Sequence, residues 1–277
     1  MLSTKAGKMR SMQLLTIILL TAVAVFFTMG GSALAKGWKK KKAEELDPVN
    51  VFIEWNSSDE DQGIQFFWDS DGFTRMIVFN ERGKKVLDIE TKNSVKKQGL
   101  TEVAIESVEP DESEQTLCDF FKRFPEGTYK FWGKSIEGGW LYGEAEFTHD
   151  LVNPVEIDLS EWPKITWEVG AEVPELDCAD LFDADVVGYE VVVELVVKEV
   201  IEDAEDGEDG EERVFKQTTT LPEFVEQLTI SPEFVRLIGF YEGSEDWDVE
   251  ELKVEILADE ESGNRTITEE VLVPAED

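Results

Sequence analysis

The feature that most constrains this chain is a series of short segments in which apolar and polar residues alternate. Val51, Ile53 and Trp55 form one such set, with Phe52 and Glu54 between them; Ile64, Phe66 and Trp68 form another, around Gln65 and Phe67. Successive side chains of a strand point to opposite faces, so period-two patterning places one face of each segment in a core. Met76-Ile77-Val78-Phe79 is a continuous apolar run, Asn80 to Gly83 reads as a turn, and Val86 to Ile89 as the next strand. Short strands at this spacing, punctuated by Gly, Asp and Asn, predict an all-β sandwich.

One short helix interrupts this pattern. Thr116 and Asp119 form a capping pair, and Leu117, Phe120, Phe121 and Phe124 recur at helical spacing. Pro125 ends the helix, and Glu126-Gly127 turns into a strand over Thr128 to Phe131. Trp140 to Phe147 supplies its partner, with Leu141, Gly143, Ala145 and Phe147 on one face. The expected organisation is a β-sandwich domain over 49–148, a linker over 149–161 containing Asn153-Pro154, and a second β domain over 162–277.

The N-terminus reads as an export signal. Lys5, Lys8 and Arg10 precede an apolar run from Leu14 to Phe27, and Ala33 and Ala35 fit the small-residue cleavage rule. The expectation is a signal peptide over 1–35, a mature start at Lys36 and a flexible charged lead over 36–48. The competing reading is an uncleaved anchor; the run is short for a span, and Lys39 to Lys42 lie on the side opposite to the positive-inside preference. Cleavage implies a periplasmic or extracellular protein with no membrane insertion afterwards.

The chain carries 62 acidic and 26 basic residues, a formal charge of -36. Such a charge repels nucleic acid and anionic lipid, and suits a protein that stays soluble in salt, meets cations or binds a basic partner. Glu202 to Glu212 holds eight carboxylates and two glycines, and is expected to be a self-repelling hairpin tip. Cys118 and Cys178 fall in different expected domains, which favours two free thiols over a bond across an interface.

The second half resembles the fibronectin type III family. The residues that carry the resemblance are Trp167, at the core Trp of the second strand, and Tyr189, at the Tyr beneath it. The late strand from Leu252, the turn Ser262-Gly-Asn264 and the final strand to Glu269 extend it. The resemblance implies a tandem of immunoglobulin-like and fibronectin type III-like sandwiches. Leu252 stands where the family carries a corner Tyr, and Gly170 to Asp185 is long for the connection it makes. The first half is similar to an uncharacterised bacterial secreted segment ending in a run like Phe120 to Phe131, a similarity that carries no function.

Catalytic signatures are missing. His149 is the one histidine, no G-x-S-x-G elbow or Gly-rich phosphate loop is present, and one His with two separated Cys does not close a zinc site. The expected function is therefore non-catalytic binding or scaffolding, with protein or glycan recognition at the cell surface or in the periplasm. The alternatives are a calcium- or carbohydrate-binding module and a secreted hydrolase using paired carboxylates. No cofactor is expected, calcium being the one cation considered. Its candidate ligands are Asp59, Asp61, Asp69 and Asp71, set against their reading as turn residues. The candidate binding residues are Trp132, Trp140 and Tyr142, set against their completing a core edge.

Overall fold

The computed structural model describes residues 43–110, 114–170, 181–182, 184–201 and 210–273. The expected signal peptide, most of the charged lead, most of the acidic hairpin tip and Cys178 lie outside the described residues. Residues Lys40–Asp277 form one compact unit.

The chain is all-β in character. Its strands are β1 (Glu44–Glu45), β2 (Val49–Asn56), β3 (Asp61–Phe79), β4 (Lys85–Glu90), β5 (Leu100–Glu106), β6 (Gly127–Ser135) and β7 (Trp140–Phe147) in the first half. The second half holds β8 (Val155–Asp158), β9 (Lys164–Val169), β10 (Gly188–Glu199), β11 (Glu212–Pro222), β12 (Gln227–Thr229), β13 (Trp247–Asp259) and β14 (Arg265–Val273). Among the described residues three helices accompany them, α1 (Asn93–Gln98), α2 (Leu117–Arg123) and α3 (Pro232–Glu242).

In the first half β3 serves two layers. Up to Asp69 it lies between β2 and β5; from Phe73 onward it lies between β4 and β6, with β7 and then β1 beyond. The register shifts between Asp69 and Phe73, where Gly72 adopts φ +139°, so a bulge turns the strand from one layer to the other. The alternating apolar residues of both layers meet in one core. Phe131 packs 5.8 Å from Trp68, Tyr129 stands 6.5 Å from Phe66, and Leu117, Phe120 and Phe121 of α2 close one end. Thr116 Oγ1 accepts from the Asp119 backbone N–H at 3.1 Å, the cap that starts α2.

In the second half the three-stranded sheet β8–β9–β12 accompanies the four strands β14–β13–β10–β11. Ile165, Trp167, Tyr189, Val191, Val193, Leu252, Val254 and Ile256 share one core, with the Trp167 and Tyr189 rings edge to face at 5.5 Å.

Parallel pairing of Arg265–Ile267 on β14 with Glu54–Asn56 on β2 joins the halves into one continuous sheet. Asn264, wholly buried, ties the same place together. Its Oδ1 accepts from Ile53 N at 2.9 Å, and its Nδ2 donates to Thr148 O, Thr148 Oγ1 and Asp150 O. Phe182, from the connection between β9 and β10, packs on Trp55 of the first core at 4.8 Å.

Several expectations need correction. Helices are not confined to one in the first half: α3 belongs to the second, begun by Ser231 Oγ accepting from Phe234 N and by Pro232, with Phe234, Ile238 and Tyr241 buried. α1 is a further short helix in the first. Within the expected lead 36–48, Glu44–Glu45 form β1 and Leu46 is buried. Leu46 fits because Gly143 opposite has no side chain; a Cβ there would lie 2.5 Å from Val49 and 3.0 Å from Leu46. The expected linker 149–161 carries β8 and buries Leu151, Val152 and Val155. Cys118 is disulfide-bonded and not a free thiol, a distance question that spacing cannot answer.

Candidate functional site

The hairpin β6–β7 turns Tyr129, Phe131, Leu141, Ala145 and Phe147 inward, so the alternate residues stand on the outer face. Register then fixes the rows. Trp132 lies opposite Tyr142 on β7 and beside Ile77 on β3, and Lys134 lies opposite Trp140 and beside Arg75. The three aromatic candidates thus share one surface. Trp132 and Tyr142 pack at 4.4 Å with their rings tilted by 51°. Trp140 is half-exposed at 52%, with the Lys134 ammonium 4.0 Å above its ring.

Trp132 and Tyr142 are partly exposed on the side away from the first core, and Ile77 and Phe79 extend the apolar row. Cations border it: Arg75 holds Asp88 through two hydrogen bonds of 2.9 and 2.8 Å, Lys85 pairs with the same carboxylate, and Lys130 lies 4.0 Å from Glu144. An aromatic row with charged margins can stack on the C–H faces of a sugar or seat apolar side chains of a protein.

The acidic candidates are placed differently. Asp59 belongs to the turn between β2 and β3, where Asn56 Nδ2 donates to it at 3.2 Å, and Asp61 opens β3. Asp69 and Asp71 stand at the bulge, where Asp69 Oδ1 accepts from Ser70 N at 2.6 Å. The strand between Asp61 and Asp69 separates the two pairs by about 25 Å. Burial and the neighbouring Glu269 raise the Asp59 carboxyl above its ordinary range. Among the described residues no group of three or more His, Cys, Asp or Glu side chains is arranged to hold a metal ion.

His149 packs. Its ring stacks on Phe121 at 4.3 Å, and Nε2 meets the Phe124 carbonyl oxygen at 2.7 Å.

A second polar site was not legible in the sequence. Glu54 is 4% exposed, and Gln65 Nε2 donates to it at 2.6 Å and to Glu106 at 2.7 Å. Arg265 stands 3.5 Å from Glu54 and 2.8 Å from Asp259. Burial is the main cause that raises Glu54 to about 7, Asp259 to about 6 and Glu109 to about 8. In the sequence Glu54 is one polar residue on the alternate face of a strand, which reads as solvated; the crowding arises from strands distant in the chain.

No protein-family model matches the sequence, and no curated protein matches it significantly. Among solved structures, the chain is similar to part of a 1.5-MDa bacterial ice-binding adhesin at 9% identity and a TM-score of 0.24, covering 85% of this chain and 67% of that one. It is also similar to Tp47, the 47-kilodalton lipoprotein of Treponema pallidum, at 14% identity and a TM-score of 0.31, over 81% of this chain and 50% of that one. Tandem immunoglobulin domains of titin match at 8% identity and a TM-score of 0.19, over 83% of this chain and 96% of theirs.

Proposed function

We propose that this is an exported, non-catalytic recognition or scaffolding protein, periplasmic or extracellular, that engages a protein or glycan partner through the outer face of β6 and β7. The observation that carries the reading is Trp140, half-exposed on the same hairpin face as Trp132 and Tyr142. Large exposed aromatics cost solubility, and a contiguous set on strands is a surface suited to binding. The three-plus-four strand arrangement and the Trp167–Tyr189 core pair support reading the second half as a fibronectin type III-like module. Fold of this kind serves many functions, so the partner class rests on the aromatic face.

The test is an array of defined neutral and acidic oligosaccharides, probed with the chain from Lys36 onward and followed by tryptophan fluorescence titration of each positive sugar. Binding that is lost in Trp140→Ala, with the melting temperature unchanged, supports the glycan arm. A chain that binds no sugar on the array and whose Trp140 fluorescence is indifferent to all of them overturns it, leaving a protein partner. Binding that survives both Trp140→Ala and Tyr142→Ala would sink the assignment of this face.

A further inference from the structure

The seam between the halves is short, three residues of β2 in parallel register with three of β14, and it is crowded with carboxyl groups. Glu54, at its start, faces Arg265 across the seam and Gln65 of β3 on its other side. Gly63 is the β3 register partner of Glu54, and Glu109 fills the space that a side chain there would need; a Cβ would lie 2.9 Å from Glu109 Oε1. Glu106 of β5 shares Gln65 with Glu54 and also hydrogen-bonds Glu109. Beyond the seam, Asp259 of β13 holds the far side of the Arg265 guanidinium. Glu190 of β10, 9% exposed, adds its field to both, and no hydrogen bond or ion pair to it is seen among the described residues. Asp61 of β3 faces Glu109, and Glu260 faces Asp259.

The Arg265 guanidinium therefore stands among Glu54, Asp259 and Glu190, and Glu54 in turn neighbours Glu106 and Glu109. Glu54 is buried and Glu109 and Asp259 are partly so, with one guanidinium for the group, so desolvation and mutual repulsion both disfavour ionising all three.

We propose that the seam between β2 and β14 is a proton-operated joint, tight while Glu54, Glu109 and Asp259 retain protons and loosened when these three ionise. In the tight state a protonated Glu109 donates to Glu106, and a Glu54 carboxyl shared between Gln65 and Arg265 holds the strands in register. Ionisation of Glu109 converts that hydrogen bond into repulsion, and ionisation of Glu54 and Asp259 leaves Arg265 balancing two carboxylates with Glu190 close by. The positions of Glu54 at about 7 and Glu109 at about 8 set the change across neutral pH. Asn264 and Phe182 bridge the same halves without charge, so loosening is local to the seam and does not separate them.

The test is amide hydrogen exchange of the chain from Lys36 onward, which contains the whole compact unit Lys40–Asp277. Rates in peptides spanning 50–57 and 264–270 are corrected for intrinsic exchange and compared with peptides from β10. Between about pH 5.5 and about pH 8.5 the seam is expected to lose roughly tenfold more protection than β10, as one pK unit of coupling implies. Glu54→Gln and Glu109→Gln, singly and together, should flatten that pH response while leaving low-pH protection intact. A wild-type seam whose protection tracks β10 across the range overturns the proposal, with no variant needed. An unchanged pH response in a folded Glu109→Gln, a change outside any strand, does so as well.

Discussion

Asn264 shows what one side chain can hold. It accepts from Ile53 on β2 and donates three times into the segment after β7, all within a residue that is fully buried. Asn264→Ala leaves a buried backbone N–H and two carbonyls without partners, each costing more than a net hydrogen bond. The expected loss is on the order of 3 kcal/mol, read from urea unfolding, and a loss below about 1 kcal/mol would mean that water replaces the amide. Gly143 makes a complementary case. Gly143→Ala forces Cβ against Val49 and Leu46, and is expected to destabilise by about 1–3 kcal/mol through overpacking, although alanine suits a strand better than glycine. If the variant is as stable as the parent, the β1–β2 connection moves aside and Leu46 is not locked.

At the scale of elements, two helices are begun in the same way. Thr116 caps α2 and Ser231 caps α3, each accepting from the backbone N–H three residues on. Thr116→Ala and Ser231→Ala are each expected to cost about 1 kcal/mol in denaturant unfolding. The Ser231 effect should be the larger of the two, because the same hydroxyl also donates to Gln217 Oε1 at 2.6 Å and so anchors α3 to β11. Equal losses would mean that this second bond contributes nothing. The bulge in β3 has the opposite role to a cap: it breaks the ladder, and by doing so lets one strand serve two layers.

For the whole molecule, protons and salt act in the same direction, each relieving repulsion among carboxylates. Glu54, Glu109 and Asp259 titrate higher in the folded chain than in the unfolded one, so the folded state binds more protons through the weakly acidic and neutral range. Stability therefore falls as pH rises from about 4.5 to about 8, and thermal melting should be highest near about pH 5. Exposed carboxylates paired with Arg or Lys, such as Asp88 and Glu211, are held below their ordinary range and lose those pairs only in stronger acid. A melting temperature that climbs steadily from pH 5 to pH 8 would contradict this balance. Calcium and sodium chlorides at matched ionic strength should raise the melting temperature alike, because the formal charge of -36 is screened and the four aspartate candidates do not converge. A rise at micromolar calcium alone would restore the calcium-binding reading.

What the sequence determined by itself was local. Alternation along Val51 to Trp68, the helical spacing of Leu117 to Phe124 and the facing rows of β6 and β7 follow from side-chain geometry within a few residues, and so does the placement of Trp132, Trp140 and Tyr142 near one hairpin. The helix α3 was legible in the same sense, in Ser231-Pro232 and the spacing of Phe234, Ile238 and Tyr241, although the strand-rich surroundings obscured it. The rest was decided by contacts between separate segments, several of them about a hundred to two hundred positions apart. Leu46 is buried because Gly143 leaves room for it, Phe182 reaches back to Trp55, and Asn264 bridges Ile53 and Thr148. Glu54 differs from the other acidic residues only through Gln65, Glu109 and Arg265, brought to it by three separate segments. A local pattern states which face of a strand is apolar; whether the other face meets water or a crowd of carboxyl groups depends on which strands become its neighbours.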